Sequence, residues 1–175
     1  GRGARAPLGA GPAAPGFDLT GQGTRRGLAV YVVRSPAEGP GIARVGPDAL
    51  EGDREAFARV MGERSGQVKG ALTDQTLLAG IGNAYSDEIL HAARLSPVKL
   101  TRKLDDSEIE RLHDAVTGTL ETWTARLRAQ VGDGFPEKVT AFRPEMAVHG
   151  RYGEPCPVCA APVQRIVYAS NETNY

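Results

Sequence analysis

The stretch "LLAGIGNAYSDEIL", residues 77–90, decides how this chain is read. An apolar run meets two glycines, Gly80 and Gly82, and a helical pattern resumes directly behind them. Glycines without side chains let backbone N–H groups approach an anion. The helix that follows adds free N–H groups and the positive end of its dipole. Asn83 adds a neutral amide donor at that terminus. The pattern suits a phosphate grip, although as a bare pattern a glycine-rich turn between core helices more often serves packing alone.

The helical period extends on both sides. Upstream, Asp53 suits an N-cap for "REAFARVM", with Phe57, Val60 and Met61 on one face. Ser65 is expected to open a second helix through Val68, Ala71 and Leu72. Downstream, "SDEILHAARL" runs to Pro97. Asp105 and Glu108 then form an Asp version of the capping box ahead of a long amphipathic helix. Its stripe is Ile109, Leu112, Val116, Leu120, Trp123 and Leu127, which reads as core.

The flanks differ in character. Residues 1–16 are low-complexity Gly/Ala/Pro, and "GFDLT" and "LAVYVV" (Leu28–Val33) read as two strands around the turn "GQGTRR". Two strands alone are marginal, so they suggest a larger sheet. "SPAEGPGIARVGP" reads as a linker. Near the other end, "MAVHGRYGEPCPVC" and "PVQRIVYA" read as a hairpin carrying a C-x-x-C knuckle, Cys156 and Cys159.

Composition narrows the class. Of 175 residues, 41% are hydrophobic and 24% charged, with a net charge of zero, as in a soluble globular chain. No apolar run is long enough to span a membrane, and no signal-peptide h-region is present. Two cysteines three apart cannot staple distant elements, so a cytoplasmic location is expected. Basic residues gather in two places. Residues 1–46 hold Arg2, Arg5, Arg25, Arg26, Arg34 and Arg44, and "RLSPVKLTRK" (94–103) has no acidic residue. These are modest footprints of the kind that meet nucleic acid or plain solvent. A Gly start and a two-cysteine knuckle, where structural zinc takes four ligands, suggest that both ends are missing.

The longer stretch "DQTLLAGIGNAYSDEILHAARLSP" resembles the helix–two-turn–helix signature of the formamidopyrimidine-DNA glycosylase / endonuclease VIII family. "VHGRYGEPCPVC" resembles the start of that family's zinc finger, and "GIARVGPDALE" its inter-domain linker. The three segments fall in the family order and span residues 41–175, about three quarters of the chain. The resemblance implies a mainly α fold with some β in three parts. Residues 1–40 are the remnant of an N-terminal β-sandwich, 41–131 a helix–two-turn–helix DNA-binding domain, and 132–175 a loop and truncated zinc-finger hairpin.

It also implies a function, the removal of oxidised bases from double-stranded DNA by a monomer in base-excision repair. In the family, an N-terminal proline amine forms a Schiff base with the sugar, and an adjacent glutamate moves protons during glycosylase and lyase chemistry. No position here matches that proline, that glutamate or the family's hairpin lysine, so this polypeptide alone is expected to be inactive. Asn83 matches the family asparagine that contacts phosphate, and Lys69 a lysine near the substrate pocket. Arg25 or Arg26 stands where an arginine fills the gap left by the flipped base.

The family zinc spacing, C-x2-C-x16-C-x2-C, makes Cys156 and Cys159 two of four Zn2+ ligands, with sixteen residues following Cys159. Asn171 falls where relatives carry a phosphate-binding arginine, and His149 where some carry tyrosine; both put lesion specificity in doubt. Asp87 and Glu88 are expected to serve the helix dipole. The alternative function is a non-catalytic nucleic-acid-binding or interaction module, since the same helical motif resembles parts of a ribosomal protein and a topoisomerase. The blandest reading is a truncated product without stable function.

Overall fold

The structure is a computed structural model that describes residues 31–39, 41–134, 140–168 and 171–175. The chain divides into two compact units, Gly1–Gly39 and Pro40–Tyr175. In the first, a single 3-10 turn at Pro36–Glu38 is described, capped by Ser35. "GFDLT", Arg25 and Arg26 lie outside the described residues. So does most of Leu28–Val33, and Tyr31–Val33 show no strand.

The second unit carries four α-helices and two strands among the described residues: α1 (Arg54–Glu63), α2 (Val68–Thr73), α3 (Asn83–Ala93), α4 (Asp106–Val131), β1 (Arg165–Tyr168) and β2 (Asn171–Asn174). Local sequence explains most of the ends. Asp53 caps α1 by accepting from the Ala56 amide, and the Asp105/Glu108 capping box starts α4 in both directions. α2 departs from expectation. It starts at Val68 rather than Ser65, because Gln67 stays extended and bridges to Leu100 in the segment after α3. There the Thr101 amide donates to Gly66 O and the Val68 amide to Lys99 O.

α3 packs against α4, and α2 against α3. Phe57, Met61, Leu72, Ile89, Leu112 and Val116 meet in one buried cluster. Trp123, Ala84 and Met146 make a second, with Tyr85 edge-on to Trp123. The expected α4 stripe is therefore the core face, with Leu112, Val116 and Trp123 buried.

Two further expectations change. The end of the linker is not loose: the Gly46 amide donates to Gln75 O, Ala79 to Pro47 O, and Ala49 to Ala79 O. This lays residues 46–49 along the loop before α3. The hairpin also differs. β1 pairs antiparallel with β2, Arg165 opposite Asn174, while the knuckle is held by a Pro155–Pro162 bridge and by bonds from the Val163 amide to Glu154 O and the Cys156 amide to Ala161 O. Residues 146–149 are instead a loop with Met146, Val148 and His149 buried, because Glu88 of α3 takes up the amides of residues 147–149.

Candidate functional site

The corner between α2 and α3 is built by one side chain that the sequence pattern did not single out. Gln75 accepts from the Gly80 amide through Oε1 at 3.0 Å and donates from Nε2 to Ile81 O at 2.8 Å. Asp74 holds the preceding turn, accepting from the Thr76 amide, and pairs with Arg64. The corner is thereby fixed without being covered, and Gly80 and Gly82 are both exposed. Their roles differ. Gly80 has φ +100°, which demands glycine, whereas Gly82 has φ −101° and ψ −178°, open to any residue. No atom lies within 4 Å of where a Cβ on Gly82 would stand.

Gly82 is the N-cap of α3 and offers no side chain to it, so the amides of Asn83, Ala84 and Tyr85 have no partner from the helix itself. Asn83 Nδ2 donates to Glu172 O at 2.9 Å, which ties the corner to β2. Asn171, the residue before Glu172, is exposed on the same strand. The contact with Glu172 thus brings Asn83 to the strand that carries Asn171, although 88 positions separate the two asparagines in sequence.

Lys69 is not a free surface cation. Its ammonium pairs with Asp87 Oδ1, and its side chain is only 12% exposed. Burial pulls the lysine below its ordinary pKa, while the Asp87 contact opposes that shift.

The dipole role expected for Asp87 and Glu88 is corrected, since α3 begins at Asn83 and its first turn holds no acidic residue. Both carboxylates are buried and bonded elsewhere. Asp87 Oδ2 faces His149 Nδ1 at 2.8 Å and accepts from the Asn174 amide at 3.1 Å. Glu88 accepts from the amides of Ala147, Val148 and His149 at 2.7–2.9 Å. Two carboxylates between Ala84 and Ile89 on a core helix were the available sequence signal, because such groups are buried only with partners.

Cys156 and Cys159 sit on a tight turn in which the Ala160 amide donates to Cys156 O and Ala160 has φ +60°. The Val158 amide donates to Cys156 Sγ at 3.4 Å, and His91 Nε2 lies 3.2 Å from the same sulfur. The His91 contact is the largest influence, and the Val158 amide the next, in lowering the Cys156 thiol to a pKa of about 6. Among the described residues no three His, Cys, Asp or Glu side chains are grouped to hold a metal ion.

The family model for the formamidopyrimidine-DNA glycosylase H2TH domain matches residues 45–129. An uncharacterized formamidopyrimidine-DNA glycosylase-like protein of Mycobacterium tuberculosis is 38% identical over 131 residues, covering 75% of this chain and 81% of that protein. The formamidopyrimidine-DNA glycosylase of Thermus thermophilus is 39% identical over 148 residues, covering 78% of this chain and 53% of the enzyme. The crystal structure of the Thermus thermophilus protein superposes with a TM-score of 0.64 at 35% identity, over 79% of this chain and 54% of that one. The Lactococcus lactis protein in complex with abasic-site DNA gives 0.62 at 30% identity, over 75% of this chain and 50% of that one. The chain spans about half the length of the glycosylases it matches.

Proposed function

Because the chain belongs to the formamidopyrimidine-DNA glycosylase family, we propose that its α2–α3 corner grips a backbone phosphate of damaged double-stranded DNA. The observation that carries this is the start of α3, where the exposed Gly82 leaves three helix amides uncapped beside Asn83. Such a terminus stabilises an anion through its N–H groups and dipole. The relatives' complexes with abasic-site DNA support the same partner. Asn171, exposed next to Glu172, is proposed as a neutral contact in the same grip, and Arg25 or Arg26 as the residue that fills the gap left by a flipped base. Lys69, whose ammonium is held by Asp87, is proposed as a residue near the substrate pocket. Excision of oxidised bases by glycosylase and lyase chemistry is the process this grip is proposed to serve.

Zn2+ is proposed at Cys156 and Cys159. The residues fit as a donor pair: two thiols share one tight turn, and a backbone N–H already donates to one of the sulfurs. A bound zinc ion would supply a structural cross-link that stiffens the knuckle.

The test of DNA binding is fluorescence anisotropy with a duplex carrying an abasic-site analogue, across a salt series. Affinity should fall steeply with salt, as phosphate contacts require. Asn83→Ala should weaken binding by about 1.5–3 kcal/mol, the scale of one hydrogen bond to a charged oxygen. Salt-independent or absent binding would reject the proposal.

A further inference from the structure

One polar face of α3 faces the C-terminal segment along its whole length. Asn83 reaches Glu172, Asp87 reaches His149 and Asn174, Glu88 reaches residues 147–149, and His91, in the last turn, reaches the knuckle. The first three contacts are accounted for by docking β2 and the loop. The fourth meets a sulfur rather than a backbone group, and it opens on a cavity of about 910 Å3 lined by Arg94, Val158, Cys159, Gln164 and Tyr175 among others. An ion from solvent can therefore reach it.

We propose that His91 is a positioning residue for metal capture, its Nε2–H donating to Cys156 Sγ and presenting that sulfur, with Cys159, to a soft divalent cation. This rests on the reading of the two cysteines as a metal pair. The 3.2 Å separation is that of a hydrogen bond to sulfur. Two ligands of one tetrahedral zinc stand farther apart, roughly 3.5 Å for bonds of about 2.0 and 2.3 Å. Three donors are not gathered about one point among the described residues. His91 thus supports a ligand without being one. With the Val158 amide on the same sulfur, two donors fix how Cys156 points and leave the one remaining lone pair of its thiolate for the ion. Outer partners of this kind typically change metal affinity by about 10- to 100-fold.

The experiment titrates Co2+ into the full 175-residue chain and into its His91→Phe and His91→Gln variants, with circular dichroism to check folding. His91→Phe should weaken cobalt binding at least about tenfold. The d–d envelope of the bound ion should not change, and His91→Gln, which restores an N–H, should recover most of the loss. Unchanged affinity in His91→Phe overturns the proposal. So does an altered d–d envelope, which would make His91 a direct ligand. In parallel, the ring 15N signals of His91 are recorded without metal; they should move in Cys156→Ala and stay in Cys159→Ala. If the unmutated chain takes up no cobalt, the zinc reading fails, and the ring signals alone decide the contact: no response to Cys156→Ala removes it.

Discussion

His149 Nδ1 lies 2.8 Å from Asp87 Oδ2, with both side chains inside the protein. The second Asp87 oxygen holds Lys69, and the Asn174 amide shares the first. One carboxylate on α3 thereby joins α2, the loop at residues 146–149 and β2. Removing it leaves an ammonium and an imidazole facing each other with little water. Asp87→Ala should destabilise the chain by about 3 kcal/mol or more, as breakage of a buried ion pair does. Urea denaturation measures it, and a loss of a few tenths would show the cluster to be solvated.

The two glycines of the corner should separate under mutation. Gly80→Ala forces a side chain onto φ +100° and should cost about 1–3 kcal/mol in stability. Gly82→Ala meets neither strain nor neighbours, but alanine is a poorer N-cap than glycine, so it should cost no more than about 1 kcal/mol. Its methyl would nevertheless stand at the uncapped start of α3 and should weaken duplex DNA binding. Melting temperature and anisotropy on the same two variants check both halves. Unaltered DNA affinity in Gly82→Ala would place the phosphate elsewhere.

Gly46 is required for a third reason. A Cβ there would come within 2.7 Å of Leu77 C and O, which are backbone atoms and cannot rotate away. Gly46→Ala should therefore push residues 46–49 off the loop before α3 at about 1–3 kcal/mol. Hydrogen exchange should show it first at the amides of Ala49 and Ala79, which bond across that contact.

Acid should loosen the start of α4. Ser107 and the Glu108 amide hold Asp105 below the usual carboxylate range, and Lys99 and the Asp105 amide do the same for Glu108. Because both folded values are depressed, the stabilisation is complete above the unfolded values near pH 4 and disappears as pH falls through the lower folded ones. Far-ultraviolet circular dichroism during an acid titration should show helix loss beginning below about pH 4. Asp105→Ala should flatten that response.

What could be read from the residues was what neighbours decide. Asp53 and Asp105 cap because each is three residues from the amide it accepts. The α4 stripe is core because its period matches the helix. The partners of Asp87 and Glu88 lie 18 to 87 positions away, so no local window contains them. Gln75 was missed for a different reason. The two bonds that fix the corner reach only five and six residues ahead, but they depend on how the turn folds back rather than on spacing.

By itself, then, the sequence determined the helices, the glycine-pinched corner and the family, since caps, apolar period and glycine placement act over one or two turns. Tertiary structure decided which polar groups are free. It drew Lys69, Asp87 and Glu88 inside to fasten the C-terminal segment, set His91 against Cys156, and left the start of α3 open. The physical reason is that a buried charge persists only with a partner, and partners are chosen by how the chain packs.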